Sequence, residues 1–179
     1  MHTFLTRMPK GGFEHRITGS TLIEAMVALV IMSIGMLGLA GLQITGLNDN
    51  ADAERRTQGT LIVNDLIERM RANTTGVAAG SYAGINFANI DCQGTPANYC
   101  AARGGNAAVE CTSDEVANFD AYVSLCEGAV RLPSGFISVA CTTNDGTAAA
   151  CNATNFRSVT LTYKDSTNAT KSISSIVRP

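Results

Sequence analysis

An unbroken apolar run near the N-terminus limits what this chain can fold into. Residues 25–42 read AMVALVIMSIGMLGLAGL, and Ser33 is their only polar side chain. As an α-helix the run is about 27 Å long, which matches the hydrocarbon core of a bilayer. Glu24 stands directly before it, and a carboxylate at membrane depth is costly enough to indicate a function. The 179 residues therefore predict one membrane-spanning helix and one globular domain of modest size.

The charged residues and histidines predict on which side of the membrane the rest of the chain lies, and they disfavour several classes of function. Arg7, Lys10 and Arg16 favour a cytoplasmic leader, which sends everything after the run across the membrane. After position 19 the chain holds 10 basic and 14 acidic side chains, so we expect no nucleic-acid partner. His2 and His15 are the only histidines, and a chain without this leader has no histidine base or ligand. We therefore expect no enzyme, no metal site and no cofactor.

The apolar run has two simple interpretations. One is a secretory signal peptide, because Gly38 and Ala40 are small residues where a signal peptidase would cut. The other is a plain uncleaved anchor, in which the Glu24 side chain simply reaches up to the membrane interface. The signal peptide is disfavoured, because a helical pattern continues well beyond the run. One helix from Ser20 to near Asn73 is therefore predicted. Its later apolar face comprises Leu61, Ile62, Leu66, Ile67 and Met70.

Charged pairs support the second half of this helix. Asp52 with Arg56, and Asp65 with Arg69, are spaced by four residues in the order that stabilises a helix. We expect both ion pairs to form on the helix surface.

The stretch GSTLIEAMVALVIMSIGMLGLAGLQ at residues 19–43 resembles the class III leader and first helix of type IV pilins and pseudopilins. The shared features are a glycine, a glutamate five places after it and an uninterrupted apolar helix. The resemblance implies that a prepilin peptidase cuts between Gly19 and Ser20 and methylates the new amine of Ser20. It also implies a type IV pilin fold.

The same resemblance implies a role for Glu24 in assembly. Apolar helices slide easily along one another, whereas a buried carboxylate paired with the free amine of a neighbour's Ser20 would fix their register. Gly35, Gly38 and Gly41 recur every three residues, and they would either form a close-packing face or simply loosen the helix.

Later segments narrow the resemblance to minor pilins of the PilV type. These segments are LIVNDLIERMRAN at residues 61–73 and CTSDEVANFDAYVSLCEGAVRLPSG at residues 111–135. The implied function is a minor pilin that helps to initiate or cap a type IV pilus and supports twitching motility. The implied partners are the prepilin peptidase, other minor pilins, the major pilin, a tip adhesin and inner-membrane lipid.

The implied location is the inner membrane, with a periplasmic head, and then the pilus tip. A minor pseudopilin of a type II secretion system is one alternative. A membrane-anchored periplasmic binding module that never assembles is another.

The remaining residues predict an α+β head on the long helix. A second helix is expected over 113–130, with Val116, Phe119, Val123, Cys126 and Val130 on one face. Strands are expected at 136–142, 157–163 and 171–177, with a hairpin between the last two, forming an antiparallel sheet against the long helix. Residues 74–110 show no period and predict a long loop. The predicted segments are a leader at 1–19, an assembly half-helix at 20–42, an amphipathic half-helix at 43–75 and a head at 76–179.

Six cysteines all follow residue 91, which places them on the exported side. They contain no C-x-x-C pair, so structural disulfides in an oxidising compartment are the favoured interpretation. Fifteen pairings are possible, and short loops close most easily. This favours Cys92 with Cys100 and Cys141 with Cys151, and leaves Cys111 with Cys126.

Overall fold

The computed structural model of the protein describes residues 22–85, 87–143, 147–152 and 154–178. Of these described residues, those up to Ile44 belong to one unit and those from Thr45 onwards to a second. Long and short helices combine with a three-stranded antiparallel sheet, which confirms the predicted α+β fold.

The first helix, α1, spans Leu22–Ala72. The predicted helix is confirmed over this range, although Ser20 lies outside the described residues. The helix ends because Asn73 leaves helical geometry, with φ −109° and ψ 60°, and its side chain accepts a hydrogen bond from the Gly76 backbone amide. The same residue thus ends α1 and caps the next helix.

One of the two predicted ion pairs on α1 forms. The Arg69 Nε lies 2.7 Å from the Asp65 carboxylate, as expected. Asp52 instead pairs with Arg55 at 2.9 Å, so its predicted pairing with Arg56 is wrong. Spacings of three and four residues both place a cation within reach of the carboxylate, and here the residue at a spacing of three forms the pair.

Short helices occur within residues 74–89, so the predicted long loop is wrong there. Gly80 joins helix α2 (Thr74–Ala79) to helix α3 (Ser81–Gly84). Its φ of 82° lies in the left-handed region, which glycine adopts without strain. A 3₁₀ turn follows at Phe87–Asn89. Helices of four to six residues are too short to display a period. They add Val77, Tyr82 and Phe87 to the core.

The next helix, α4, spans Ser113–Tyr122 and begins with a reciprocal capping box between Thr112 and Glu115. It continues as a wider π-helical segment, Val123–Gly128, and then a 3₁₀ turn, Ala129–Arg131. The π-helical and 3₁₀ turns contain a different number of residues from an α-helical turn, so later side chains point to other sides of the helix than a regular α-helix would give. Phe119 and Val123 are buried as predicted, whereas Val130 is 55% exposed, so its predicted inward position is wrong.

The three predicted strands are confirmed. They are β1 (Phe136–Thr142), β2 (Phe156–Lys164) and β3 (Thr170–Val177), in the order β1-β2-β3. The predicted hairpin joins β2 to β3, and the Asp165 carboxylate accepts hydrogen bonds from the Thr167 hydroxyl and from the Thr167 and Ala169 amides. The Thr167 side chain, these amides and Lys171 lower the pKa of Asp165 to about 2, so the turn is held by an ionised carboxylate.

The core of the second unit lies between the sheet and the later part of α1. Gly59 allows the close approach, because a Cβ there would lie 2.7 Å from the Ile173 Cδ1 and 3.0 Å from the Leu161 Cδ2. Leu61 is 64% exposed, so its predicted place on the apolar face is wrong. Each large apolar side chain buried here contributes roughly 1.5–3 kcal/mol. The α1 residues in this core are Ile62, Val63, Leu66, Ile67 and Met70.

Candidate assembly site

The N-terminal part of α1 presents an uncovered apolar surface. Its large side chains between Leu22 and Leu47 are each more than half exposed. The helix is long and apolar enough to cross a membrane, and the most apolar part of it has no buried residue. A surface of this kind is stable only when lipid or another apolar protein surface covers it.

Three residues were predicted to direct processing or helix register, and only Glu24 is among the described residues. Gly19 and Ser20 lie outside the described residues. Glu24 lies in the first turn of α1, where its side chain is exposed beside the apolar surface. A carboxylate at the N-terminal end of a helix is favoured by the helix dipole.

The three glycines of the apolar segment leave open space along the helix. A Cβ at Gly35, Gly38 or Gly41 would meet nothing within 4 Å.

A hydrogen-bond pair joins the β2–β3 hairpin to α1. The Ser166 backbone amide donates to the Asp52 Oδ1 at 2.8 Å, and the Ser166 hydroxyl donates to the Asp52 Oδ2 at 2.6 Å. The Ser166 side chain is the main cause of the lowered pKa of Asp52. Both carboxylate oxygens of Asp52 therefore accept from the hairpin, and Oδ1 also pairs with Arg55.

A second polar group joins the end of α1 to α3 and α4. The Tyr82 hydroxyl donates to the Asp120 Oδ2 at 2.7 Å, and the Arg69 guanidinium lies 3.3 Å from the Asp120 Oδ1. The Asn73 amide donates to the Tyr82 oxygen at 3.2 Å and to the Ser113 carbonyl at 2.7 Å. Burial raises the pKa of Asp120, whereas Tyr82 and Arg69 favour its charged form.

Arg157 is fully buried in the inner face of β2. Its guanidinium donates to the backbone carbonyls of Asn152 at 3.0 Å, of Asn155 at 2.7 Å and of Val77. Burial lowers the pKa of this side chain. Arg157 therefore connects α2 to the segment before β2 through carbonyl groups rather than through an ion pair.

The three disulfides connect cysteine pairs with Cα–Cα distances of 5.1 to 5.6 Å. The predicted pairing of Cys141 with Cys151 agrees with the structure. The predicted pairings of Cys92 with Cys100 and of Cys111 with Cys126 are wrong, because Cys92 pairs with Cys126 and Cys100 pairs with Cys111. Cys92 and Cys126 pack against the same core, so tertiary contact outweighs the shorter loop.

Sequence reasoning missed Asp120, Tyr82 and Arg157 as organising residues. Arg157 did have a signal, because it shares the parity of Val159, Leu161 and Tyr163, and all four are buried in β2. Asp120 has no comparable signal, because its partners come from distant segments. Among the described residues, no cluster of histidine, cysteine, aspartate or glutamate is arranged to hold a metal ion.

Comparison with protein families gives two adjoining matches. Residues 15–40 match the prokaryotic N-terminal methylation motif, and residues 41–122 match the family described as type IV pilin Tt1218. No significant match is found among curated proteins or among solved structures.

The methylation motif implies processing by a prepilin peptidase and assembly with other pilins. Together with the uncovered apolar helix, it indicates membrane anchoring followed by incorporation into a pilus. Pilins are structural subunits rather than enzymes. The matched ranges run without a gap from before the apolar helix to the end of α4, and this chain is a type IV pilin-like protein.

Proposed function

We propose that this protein is a minor pilin that helps to initiate or cap a type IV pilus. The observation that carries the proposal is the methylation motif at residues 15–40, which includes the start of an apolar helix whose surface is uncovered. The PilV-type resemblance of residues 61–73 and 111–135 supports a specialised subunit over the bulk subunit. Its partners are then other minor pilins, the major pilin and a tip adhesin, and its final place is the pilus tip.

Processing follows the N-terminal motif in this proposal. The peptidase removes residues 1–19 by cutting between Gly19 and Ser20, and it methylates Ser20. Residues 20–42 then act as the membrane and assembly half-helix, residues 43–75 as the amphipathic half, and residues 76–179 as the periplasmic head. Glu24 sets the axial register by pairing with a neighbour's free amine.

Deletion of the gene is expected to leave few surface pili and poor twitching motility. A starter subunit that is lost slows initiation without removing the building material, so blocking retraction should restore piliation. Quantitative mass spectrometry of sheared pili should find this chain as a small fraction of the major subunit. Normal piliation after deletion, or this chain as the dominant fibre protein, would contradict the proposal and favour a pseudopilin or an unassembled anchor.

Glu24→Ala is expected to leave cleavage largely intact and to reduce incorporation into sheared filaments by about tenfold, which corresponds to roughly 1.4 kcal/mol at the contact. The physical reason is the loss of the carboxylate that pairs with a neighbour's amine. Intact-mass measurement of a mature chain that begins at Ser20 checks the processing.

Glu54→Ala is a matched control for this variant, because Glu54 is an exposed carboxylate on the same helix but beyond the apolar segment. Its incorporation should equal that of the wild type. Full incorporation of Glu24→Ala would instead show that the Glu24 side chain merely reaches the membrane interface and has no role in assembly.

A further inference from the structure

An open groove lies between β3 and one face of α1 in the second unit. Its volume is about 720 Å³, and its walls include Arg56, Thr60, Lys171, Ile173 and Ser174. Along α1, Arg56 lies between Asp52, which binds the hairpin, and Gly59, which approaches Ile173. The groove therefore follows the first half of β3.

The β3 side of the groove is a sheet edge. β3 pairs with β2 and ends the sheet, and residues 171–177 make no backbone hydrogen bond beyond β2 within the described part of the chain. The strand contains no proline. Its Lys171, the residue type that commonly protects an edge, lies 3.4 Å from Asp165. An unpaired edge of this kind is a template for one more extended strand.

The charges in the groove favour one sign of partner. Both acidic side chains in its wall are occupied, Asp52 by Ser166 and Arg55, and Asp165 by its own turn and Lys171. The Arg56 side chain is exposed and has no carboxylate partner among the described residues. Its cation is therefore the charge that a ligand of opposite sign could neutralise.

We infer that this groove binds an extended acidic segment of a partner protein, which adds as a fourth strand beside β3 and places a carboxylate against Arg56. Backbone hydrogen bonds to the edge supply affinity, and the charge selects the partner. Small side chains at Ser172 and Ser174 leave the edge accessible. The inference goes beyond the proposed function, because it concerns the head and is independent of which assembly contains the chain.

Synthetic peptides test the inference on the full chain in detergent. The probe is a fluorescent octapeptide of alternating threonine and glutamate, which matches the length of β3, and binding is measured by anisotropy. A threonine–lysine peptide tests the charge. An acidic peptide with N-methylated backbone amides keeps the charge but cannot donate to the edge. We expect saturable binding of the unmodified acidic peptide, and binding of the other two that is at least about fivefold weaker.

Two protein variants complete the test. Arg56→Glu should weaken the acidic peptide by at least about fivefold and should improve binding of the lysine peptide. Arg71→Glu is the matched control, because Arg71 is exposed on α1 outside the groove and pairs with Glu68. It should leave binding within about twofold of the wild type.

Equal binding of the acidic and lysine peptides, equal binding of the N-methylated peptide, or no saturable binding would overturn the inference. A crosslink between two copies of the Ser174→Cys variant that unlabelled acidic peptide does not prevent would also overturn it, because a second copy would then be the occupant. None of these results would alter the pilus proposal, whose tests are deletion and filament content.

Discussion

Replacing Arg157 by alanine is expected to lower the free energy of unfolding by about 3–5 kcal/mol. The substitution removes a fully buried side chain and leaves a cavity between α2 and β2. It also removes the donors for the carbonyls of Val77, Asn152 and Asn155. The buried Val77 carbonyl keeps the Gly80 amide as a donor, so the lost hydrogen bonds add to the cost of the cavity without leaving this carbonyl unsatisfied.

Urea unfolding followed by far-ultraviolet circular dichroism measures this effect. Arg157→Lys should lose less, because an ammonium group retains the charge and some of the donors but cannot reach carbonyls with a planar fork. Arg131→Ala is the control, because Arg131 is an exposed arginine on the 3₁₀ turn Ala129–Arg131, and it should change stability by no more than about 0.5 kcal/mol. Wild-type stability of Arg157→Ala would show that the carbonyls find water and that Arg157 is dispensable.

Removal of the Cys92–Cys126 disulfide by paired serine substitutions is expected to cost about 4 kcal/mol. The bridge spans a sequence separation of 34 residues and connects the segment after α3 to the π-helical segment. Loss of a longer loop constraint frees more conformations of the unfolded chain. Both sulfur-bearing side chains also pack against the core, so their loss removes apolar contacts as well.

Paired serine substitution of Cys100 and Cys111 is the matched control, because it removes a disulfide with a separation of only 11 residues. It should cost about 3 kcal/mol. Denaturant unfolding of the two double variants gives the comparison. A larger loss from the shorter bridge, or free thiols at these positions in the wild-type protein, would contradict the assigned pairing and its energetic order.

The sequence predicted those elements whose signal lies within a few residues. The strand pattern of FISVACT and the turn residues of KDSTNAT define β1 and the hairpin locally, and both agree with the structure. Val130 was wrongly assigned to a buried face, because the π-helical segment rotates the residues that follow it to a different side of the helix. No residue in VSLCEG indicates that the helix widens there. The period of a helix predicts burial only while its turns stay regular.

The candidate site was predicted unevenly for a related reason. The apolar run and its preceding glutamate are contiguous, so their meaning is visible in a single stretch of sequence. The partners of Asp120 and the pairing of Cys92 depend on contacts between segments distant in sequence. Loop length alone favoured Cys92 with Cys100, but the fold brings Cys126 to Cys92, and proximity in the folded state decides the bond.

The distribution of the cysteines has a mechanical consequence for a subunit under tension. All six follow residue 91, so no disulfide joins α1 to the rest of the protein. Axial force along α1 would be opposed by its buried face and by the polar contacts of Asp52 and Arg69. Cross-linked segments beyond α1 would resist extension longer than these noncovalent contacts resist shear. Under axial load, the interface between α1 and the sheet is therefore the first part of the folded unit to separate. Because its contacts are noncovalent, they can re-form after the load is released.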